Sequence, residues 1–234
     1  MEQIAVKQFQ FKDFQPVEAI KTLRTNLMFC GEGTRVVALT SFGASEGKST
    51  ITFQLAASLA QAGKRVLLMD TDLRRSLLPK RLNVRSKLTG LSHYLSGMAK
   101  ANEVIHPTDV EDLHILFAGV RVSNAAELLG SEQFQKLIHA LREAYDYVII
   151  DAAPLGQVVD CAVMAPVIDG VLVVVDTTDN SYKLIKRMIR QLEKSGGKIL
   201  GVVLNRVDFK DKGSYYGKAY GYGGYAYAES KRNK

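Results

Sequence analysis

Short runs of apolar residues alternate along the chain with segments in which apolar residues recur every three or four positions. The short runs predict buried strands at residues 36–40, 65–70, 113–118, 147–151, 171–176 and 199–205. The helical spacing predicts helices at residues 16–29, 48–62, 132–144 and 181–195. Strands that alternate with helices indicate an α/β fold, in which a mostly parallel, twisted sheet carries helices on both faces. Residues 73–107 are less regular and predict a loop with two or three helical pieces.

Composition adds that the chain can bury one sizeable core, because 47% of its 234 residues are hydrophobic. We therefore expect one domain followed by a tail. The formal net charge of +7 suggests contact with a nucleotide, a nucleic acid or a membrane surface, although lysines scattered over solvated helices explain the same charge. Two cysteines and four dispersed histidines form no metal-ligand spacing and fit a reduced cytosol. Since no apolar run is long enough to span a bilayer, we expect another chain to provide any membrane attachment.

The turn between the first predicted strand and the helix at residues 48–62 has the composition of a phosphate-binding loop. In this position backbone N–H groups and a helix N-terminus favour a polyphosphate. Lys48 is expected to contact the β- and γ-phosphates of a nucleotide, and the Ser49 hydroxyl to bind magnesium. The usual pattern has glycine five positions before Gly47, where this chain has Phe42. The candidate nucleotide-binding residues of the loop are Gly43, Ala44, Ser45, Glu46, Gly47, Lys48, Ser49 and Thr50.

Carboxylates lie at the ends of two further predicted strands. Asp70 and Asp72 occupy alternate positions, which point to the same side of an extended chain, and Asp151 ends the strand at residues 147–151. Ligands of open α/β sheets bind at this edge, although one of the first two carboxylates can instead cap the following turn. Together with Lys48 and Ser49, these carboxylates suffice for phosphoryl transfer, which needs alignment and charge neutralisation more than covalent help.

Tyrosine is concentrated near the C-terminus, where glycine and alanine separate most of the rings. Glycine at this density opposes helices and strands, so we expect a flexible tail with exposed hydroxyls. The tail alone is consistent with a sticky low-complexity segment, an arm wrapped over a surface or a set of phosphate acceptors. The six tyrosines of this cluster are Tyr215, Tyr216, Tyr220, Tyr222, Tyr225 and Tyr227.

The acceptor of the phosphate decides the activity. Water as acceptor would make the protein an ATPase, and a tyrosine hydroxyl would make it a kinase. Because a phenol has a pKa of about 10, a carboxylate such as Asp70 placed against the hydroxyl is a reasonable base.

The loop at residues 44–50, the acidic segments 67–74 and 148–154, the segment 18–26 and the tyrosine cluster together resemble the bacterial tyrosine kinases of capsular and exopolysaccharide synthesis. The chain is similar to the form in which the kinase is a separate cytoplasmic protein, and the likeness extends from about residue 17 to the C-terminus. Related P-loop ATPases share the three phosphate-site motifs but not the tail. The resemblance implies an N-terminal segment with an oligomerisation helix at residues 1–30, a P-loop kinase domain at 31–210 and a flexible tyrosine tail at 211–234.

Roles for individual residues follow from the same resemblance. It implies that the loop binds ATP and Mg²⁺, that Ser49, Asp72 and Asp151 hold the metal, and that Asp70 is the base. Lys48, Asp70, Asp72 and Asp151 are then the catalytic residues. Asn205 matches an asparagine that lies near the adenine in similar ATPases, although an asparagine at a strand end is also a common turn residue.

Family members assemble into rings through a helical Glu-x-x-Arg-x-x-Arg motif, whose counterpart here is Glu18, Lys21 and Arg24. Lysine in place of the first arginine keeps the charge and loses the planar fork. The resemblance implies a homo-oligomer, with an octameric ring as its expected form. Two further departures are Ala44, where proline is common, and residues 152–153, where the family often has a hydroxyl residue and proline.

The resemblance also implies partners and a function. A transmembrane adaptor of the polysaccharide co-polymerase type would activate the kinase and recruit it from the cytoplasm to the inner face of the membrane, and a cognate tyrosine phosphatase would reverse the reaction. The kinase would autophosphorylate its tyrosine cluster in trans and regulate capsular or exopolysaccharide synthesis and export. No nucleic-acid partner is expected.

Two alternatives remain open. A partitioning-type ATPase switch that binds membrane or DNA would explain the positive charge, but such proteins usually carry an additional lysine early in the loop, where this chain has Phe42 and Gly43. A nucleotide-dependent scaffold would use its aromatic tail to dock polymerisation or export proteins.

Overall fold

A single seven-stranded sheet forms the centre of the protein in a computed structural model that describes residues 3–84, 88–178 and 182–207. The strands lie in the order β3-β4-β2-β5-β1-β6-β7, and every neighbouring pair is parallel except β3 with β4. The predicted α/β class and mostly parallel sheet are confirmed. The strands are β1 (Val36–Ser41), β2 (Val66–Asp70), β3 (Ile105–Pro107), β4 (Leu113–Leu116), β5 (Tyr147–Asp151), β6 (Gly170–Asp176) and β7 (Ile199–Asn205).

Helices cover both faces of this sheet. In the described parts of the chain they are α1 (Phe14–Met28), α2 (Lys48–Gln61), α3 (Leu78–Arg81), α4 (Leu91–Leu95), α5 (Ala101–Val104), α6 (Ala125–Leu129), α7 (Glu132–Ala144), α8 (Asp160–Met164) and α9 (Tyr182–Lys194), with single 3₁₀ turns at Lys7–Phe9 and Ala165–Val167. All six predicted strands and all four predicted helices are present, with ends that differ by at most two residues. The irregular segment 73–107 contains α3, α4 and α5, and it also contains β3, which the sequence analysis did not predict.

Alternate residues of each central strand enter two separate cores. In β1, Val36 and Ala38 pack on the side of α4, α6, α7, α8 and α9, whereas Val37 and Leu39 pack on the side of α1, α2 and α3. A strand that is buried on both faces must be apolar at every position, which explains the short unbroken apolar runs. Each fully buried aliphatic side chain stabilises the fold by roughly 1.5–3 kcal/mol.

The N-terminal segment packs on the same domain. Asp109 Oδ1 accepts hydrogen bonds from the N–H groups of Val6 at 2.6 Å and Lys7 at 3.1 Å. The Gln54 side chain on α2 donates to the carbonyl of Phe9 at 2.7 Å and accepts from the N–H of Phe11 at 3.1 Å. These contacts guide the chain into α1, which lies against α2.

Among the described helices, none combines the length and the apolar character needed to cross a bilayer. The expected tyrosine tail at residues 211–234, with all six clustered tyrosines, lies outside the described residues.

Candidate active site

The turn that links β1 to α2 is shaped by a glycine that no other residue can replace without strain. Gly47 has a φ of +86°, and α2 begins directly after it at Lys48. A Cβ atom at position 47 would lie 2.1 Å from Asn205 Nδ2, far inside contact distance. The same amide donates a hydrogen bond of 2.8 Å to the carbonyl oxygen of Glu46. The end of β7 therefore holds the loop at Glu46 and Gly47.

The side chain of Glu46 contacts the backbone of its own loop. Its Oε1 accepts a hydrogen bond of 2.5 Å from the N–H of Gly43, and the residue is only 6% exposed. Its second oxygen, Oε2, is buried and has no hydrogen-bond partner within the described residues. The Gly43 N–H, which was expected to contact a nucleotide, is directed to Glu46 in this conformation. Ala44 and Ser45 at the tip of the loop are exposed.

Lys48, Asp151 and Asp70 form the buried centre of the site. Asp70 and Asp151 end neighbouring strands and are direct partners in the pairing of β2 with β5. The Lys48 ammonium makes an ion pair with Asp151 Oδ1, and it lies 3.4 Å from the Ser49 hydroxyl. Lys48 is 7% exposed, Asp151 3% and Asp70 1%. The sequence analysis predicted that the loop lysine lies beside strand-end carboxylates. The structure brings Lys48, Asp70 and Asp151 together in this way.

Burial of two carboxylates beside one ammonium changes the protonation of Asp70. Desolvation and the charge of Asp151 raise the pKa of Asp70 to about 7, while hydrogen bonds from Ser76 Oγ and the N–H of Asp72, together with the Lys48 charge, act in the opposite direction. One negative charge in this cluster is therefore not balanced by Lys48. A further cation, or a proton, compensates it.

Asp72 does not join this buried centre. It is half-buried, and its Oδ1 accepts a hydrogen bond of 2.9 Å from the N–H of Arg75, so it caps the turn after β2. This is the turn-capping alternative that the sequence left open. Thr50 lies on the first turn of α2, where Arg81 Nη1 donates to its hydroxyl at 3.4 Å. The metal-binding roles of Ser49, Asp72 and Asp151 stay predictions.

Arg206 makes a second contact that holds the phosphate loop, which we call the Arg206 clamp, and the sequence analysis did not predict it. Arg206, which follows β7, donates from Nη2 to the carbonyl of Ser45 at 2.7 Å and pairs through Nη1 with Asp176 at the end of β6. Hydrogen bonds from Thr178 and the Arg206 guanidinium lower the pKa of Asp176. Ser45 and Arg206 both have positive φ, +65° and +58°, which costs a non-glycine residue about 1–2 kcal/mol each. Asp176 ends a strand as Asp70 and Asp151 do, so the pattern of strand-end carboxylates could have identified it as a candidate site residue.

The candidate oligomerisation residues lie away from the phosphate loop, on α1. Glu18 and Lys21 form an ion pair of 2.7 Å, and each side chain is about half exposed. Arg24 turns towards α2, where its Nη1 donates to the Ser58 carbonyl at 2.9 Å and to the Ser58 hydroxyl at 3.2 Å. The motif therefore presents one ion pair to the surface, while its last member contacts its own chain.

Comparison with known proteins decides the family. The AAA domain family matches residues 34–199. The tyrosine-protein kinase CpsD of Streptococcus agalactiae is 37% identical over 215 residues, which cover 92% of this chain and 92% of that protein. The chain belongs to the bacterial tyrosine-protein kinase family. The resemblance inferred from the sequence is confirmed.

The chain also matches part of a longer relative and several solved structures. The succinoglycan biosynthesis transport protein ExoP of Rhizobium meliloti (strain 1021) is 36% identical over 196 residues, which cover 82% of this chain and 25% of that protein. Among solved structures, the chimerical protein CapA2B2 has a TM-score of 0.78 at 31% identity, covering 85% of this chain and 92% of that chain. The septum site-determining protein MinD of Pyrococcus horikoshii OT3, complexed with Mg-ADP, has a TM-score of 0.64 at 25% identity, covering 76% and 73%.

The residues of this kinase-family site fit a magnesium nucleotide. Within the described ranges, no three His, Cys, Asp or Glu side chains gather into a metal cluster. Mg²⁺ in nucleotide sites usually takes only one or two carboxylates, with waters and phosphate oxygens completing its shell. The buried negative charge shared by Asp70 and Asp151, next to a helix N-terminus, suits that combination of cation and polyphosphate.

Proposed function

We propose that this chain is an ATP- and Mg²⁺-dependent protein-tyrosine kinase that phosphorylates the C-terminal tyrosine cluster of a neighbouring copy, and thereby regulates capsular or exopolysaccharide synthesis and export. The observation that carries the proposal is the buried Lys48–Asp151 ion pair beside Asp70, directly after the loop that opens α2. Family membership and the six clustered tyrosines support a tyrosine acceptor.

In the proposed reaction each residue has one task. When bound, Mg-ATP would supply the phosphoryl group, and its cation would neutralise charge on the phosphates. Lys48 would contact the phosphates from the first residue of α2, and Ser49, Asp72 and Asp151 would hold the metal. Asp70 accepts the proton of the tyrosine hydroxyl as that oxygen forms its bond to phosphorus. The bond between that phosphorus and the bridging oxygen breaks, and ADP leaves.

The proposal also includes an oligomeric state and partner proteins, which we infer from the kinase family. The exposed Glu18–Lys21 pair on α1 would contact a neighbouring subunit in a homo-oligomeric ring of eight. A transmembrane adaptor of the polysaccharide co-polymerase type would hold the cytoplasmic chain at the inner membrane face, and a cognate phosphatase would remove the phosphates. The match to one part of ExoP supports the link to polysaccharide production.

Autophosphorylation in vitro tests the proposal. We expect the purified chain, incubated with ATP, Mg²⁺ and an activating adaptor segment, to gain phosphate on tyrosines between Tyr215 and Tyr227, as measured by mass spectrometry. Lys48→Met should lower the initial rate by at least ~100-fold, because charge stabilisation of the phosphates is lost. Equal tyrosine phosphate in the two proteins would show that the site is assigned wrongly.

Mixing two variants tests transfer between subunits. One variant carries Lys48→Met with its tyrosines intact, and the other has an intact site with all six clustered tyrosines changed to Phe. Phosphate on the Lys48→Met chain in the mixture, and none on that chain alone, is the expected result. No modification in the mixture, while the unaltered chain modifies itself, would exclude transfer in trans.

A further inference from the structure

Helix α9 presents a stripe of cations to solvent. Its basic side chains recur at spacings of three and four residues, so they share one side of the helix. All of them are exposed, and within the described residues none of them forms an ion pair. We call this surface the α9 stripe, and it consists of Lys183, Lys186, Arg187, Arg190 and Lys194.

The opposite side of α9 is already occupied. Met188 and Leu192 are buried in the same core as the β6 residues Val171, Val173 and Val175. The apolar side of the helix therefore holds α9 on the sheet and is not available to insert into a bilayer or a partner. What α9 offers to a ligand is charge, with the exposed ring of Tyr182 placed 5.9 Å from the Lys186 ammonium.

The α9 stripe starts near the sheet edge at which β7, the last described strand, ends. Asp176 and Asn205 are paired at the ends of β6 and β7, and α9 begins six residues after Asp176. A helix of 13 residues is about 20 Å long. Tyr215 follows Asn205 by ten residues, which extend to at most about 33 Å. The chain between Asn205 and the first clustered tyrosine is thus long enough to span the stripe of the same subunit.

Phosphorylation changes the sign of the tail. Residues 211–234 carry five basic and two acidic side chains, so the unmodified tail is cationic and is repelled by the stripe. Each phosphotyrosine adds roughly −1.5 to −2 charges, so three of them bring the tail to about −2. Tethering the tail to the same chain raises its local concentration at the stripe to the millimolar range.

We propose that the α9 stripe is the docking site of the phosphorylated tyrosine tail, an inference that rests on the proposed kinase function. The unmodified tail leaves the stripe and is free to enter an active site. The modified tail binds Lys186, Arg190 and their neighbours through charge-assisted hydrogen bonds to its phosphates. The stripe therefore removes the product of the reaction from the catalytic centre and holds it for the phosphatase.

Binding of a synthetic tail tests this inference. The protein is the full chain carrying Lys48→Met, whose own tail stays unmodified and cationic. The probe is a fluorescent peptide of residues 211–234 with phosphate on Tyr220, Tyr222 and Tyr225, and fluorescence anisotropy reports its binding. Lys186→Glu/Arg190→Glu should weaken binding by at least ~10-fold, and the unphosphorylated peptide should not bind. Raising the salt to about 0.3 M should also weaken binding.

A matched control keeps the total charge equal. Lys12→Glu/Lys100→Glu places the same two charge reversals at exposed positions outside α9, and it should bind the phosphopeptide as the parent does. Equal loss in both double variants, or none in either, would overturn the inference. The same holds if only anionic vesicles of phosphatidylserine or duplex DNA bind the α9 stripe. Because the peptide is phosphorylated by synthesis, failure here is separate from failure of the kinase assay.

Discussion

Two constraints require glycine at position 47, a positive φ and the close approach of Asn205, and a control variant can separate their effects. Gly47→Ala adds a Cβ both at a positive φ of +86° and at 2.1 Å from Asn205 Nδ2. Gly63→Ala is the matched control, because Gly63 has a φ of +75° and open space where a Cβ would stand. We expect Gly63→Ala to lower the unfolding free energy by about 1 kcal/mol, and Gly47→Ala to lower it by about 2 kcal/mol more and to abolish nucleotide binding.

Denaturant unfolding and titration with a fluorescent nucleotide measure the two effects. Equal losses of stability at the two glycines would mean that Asn205 moves aside without cost, and that the loop is not held by β7.

Asp70 makes the stability of the nucleotide-free protein depend on pH in a direction opposite to that of most carboxylates. Burial raises its pKa from 3.8 to about 7, so the folded protein binds this proton more tightly than the unfolded chain does. Its contribution is therefore most favourable below pH 4 and is lost as the pH rises towards 7. We expect the Tm of Asp70→Asn, relative to the unaltered chain, to rise from pH 5 to pH 7 and then to level off. Thermal melts without Mg²⁺ measure it, and a difference that is constant with pH would contradict the assignment.

The sequence could predict the buried centre of the site because strand ends and a helix start follow from local patterns. Lys48, Asp70 and Asp151 lie together as expected, since the carboxyl ends of parallel strands share one edge. The clamp of Arg206 on Ser45 could not be predicted from spacing alone. It depends on two left-handed residues that are 161 positions apart and on the placement of β7 at the sheet edge.

At the scale of elements, the ends of β6 and β7 support the phosphate loop from one side. Arg206→Ala removes both the hydrogen bond to the Ser45 carbonyl and the ion pair with Asp176. A hydrogen bond to a charged group contributes about 1.5–3 kcal/mol, so we expect nucleotide affinity to fall by roughly tenfold. Arg206→Lys should recover only part of it, because an ammonium cannot bridge both partners as the planar fork does.

Isothermal titration with ATP and Mg²⁺ measures this change. Arg121→Ala is the control, since Arg121 is exposed and makes no hydrogen bond or ion pair within the described residues. An affinity for Arg206→Ala equal to that of the control would show that the loop keeps its shape without the clamp.

Element prediction succeeded where burial imposes a periodicity and failed where the elements are too short to show one. The apolar runs of β1, β5 and β6 were recognisable because nearly every residue of these strands is buried, and α7 because its buried residues recur every three or four positions. The three residues of β3 include a proline and pair antiparallel at the edge of the sheet, so they carry neither an apolar run nor an alternation. Two helices of five residues, α6 and α8, were also not predicted, because they are too short to show a helical periodicity.

At the scale of the whole molecule, the two helices with candidate surface roles lie on different layers. Helix α1 packs in the core that contains α2, whereas α9 packs in the opposite core. A ring contact through the Glu18–Lys21 pair and capture of the modified tail on the α9 stripe therefore do not compete for the same face. Phosphorylation acts on the ring through charge, because every modified subunit adds several negative charges to a closed assembly.

We expect this charge to loosen the ring. The unmodified chain should have a larger mass by multi-angle light scattering than the same chain after incubation with ATP, Mg²⁺ and activator, and phosphatase treatment should restore the larger mass. Lys48→Met should keep the larger mass throughout, because it cannot modify its tail. Lys21→Glu should give the small species before any phosphate is added, since it reverses the charge that faces Glu18. A mass that is unchanged by phosphorylation, with Lys21→Glu still assembled, would place the subunit interface elsewhere and leave the tail without an effect on assembly.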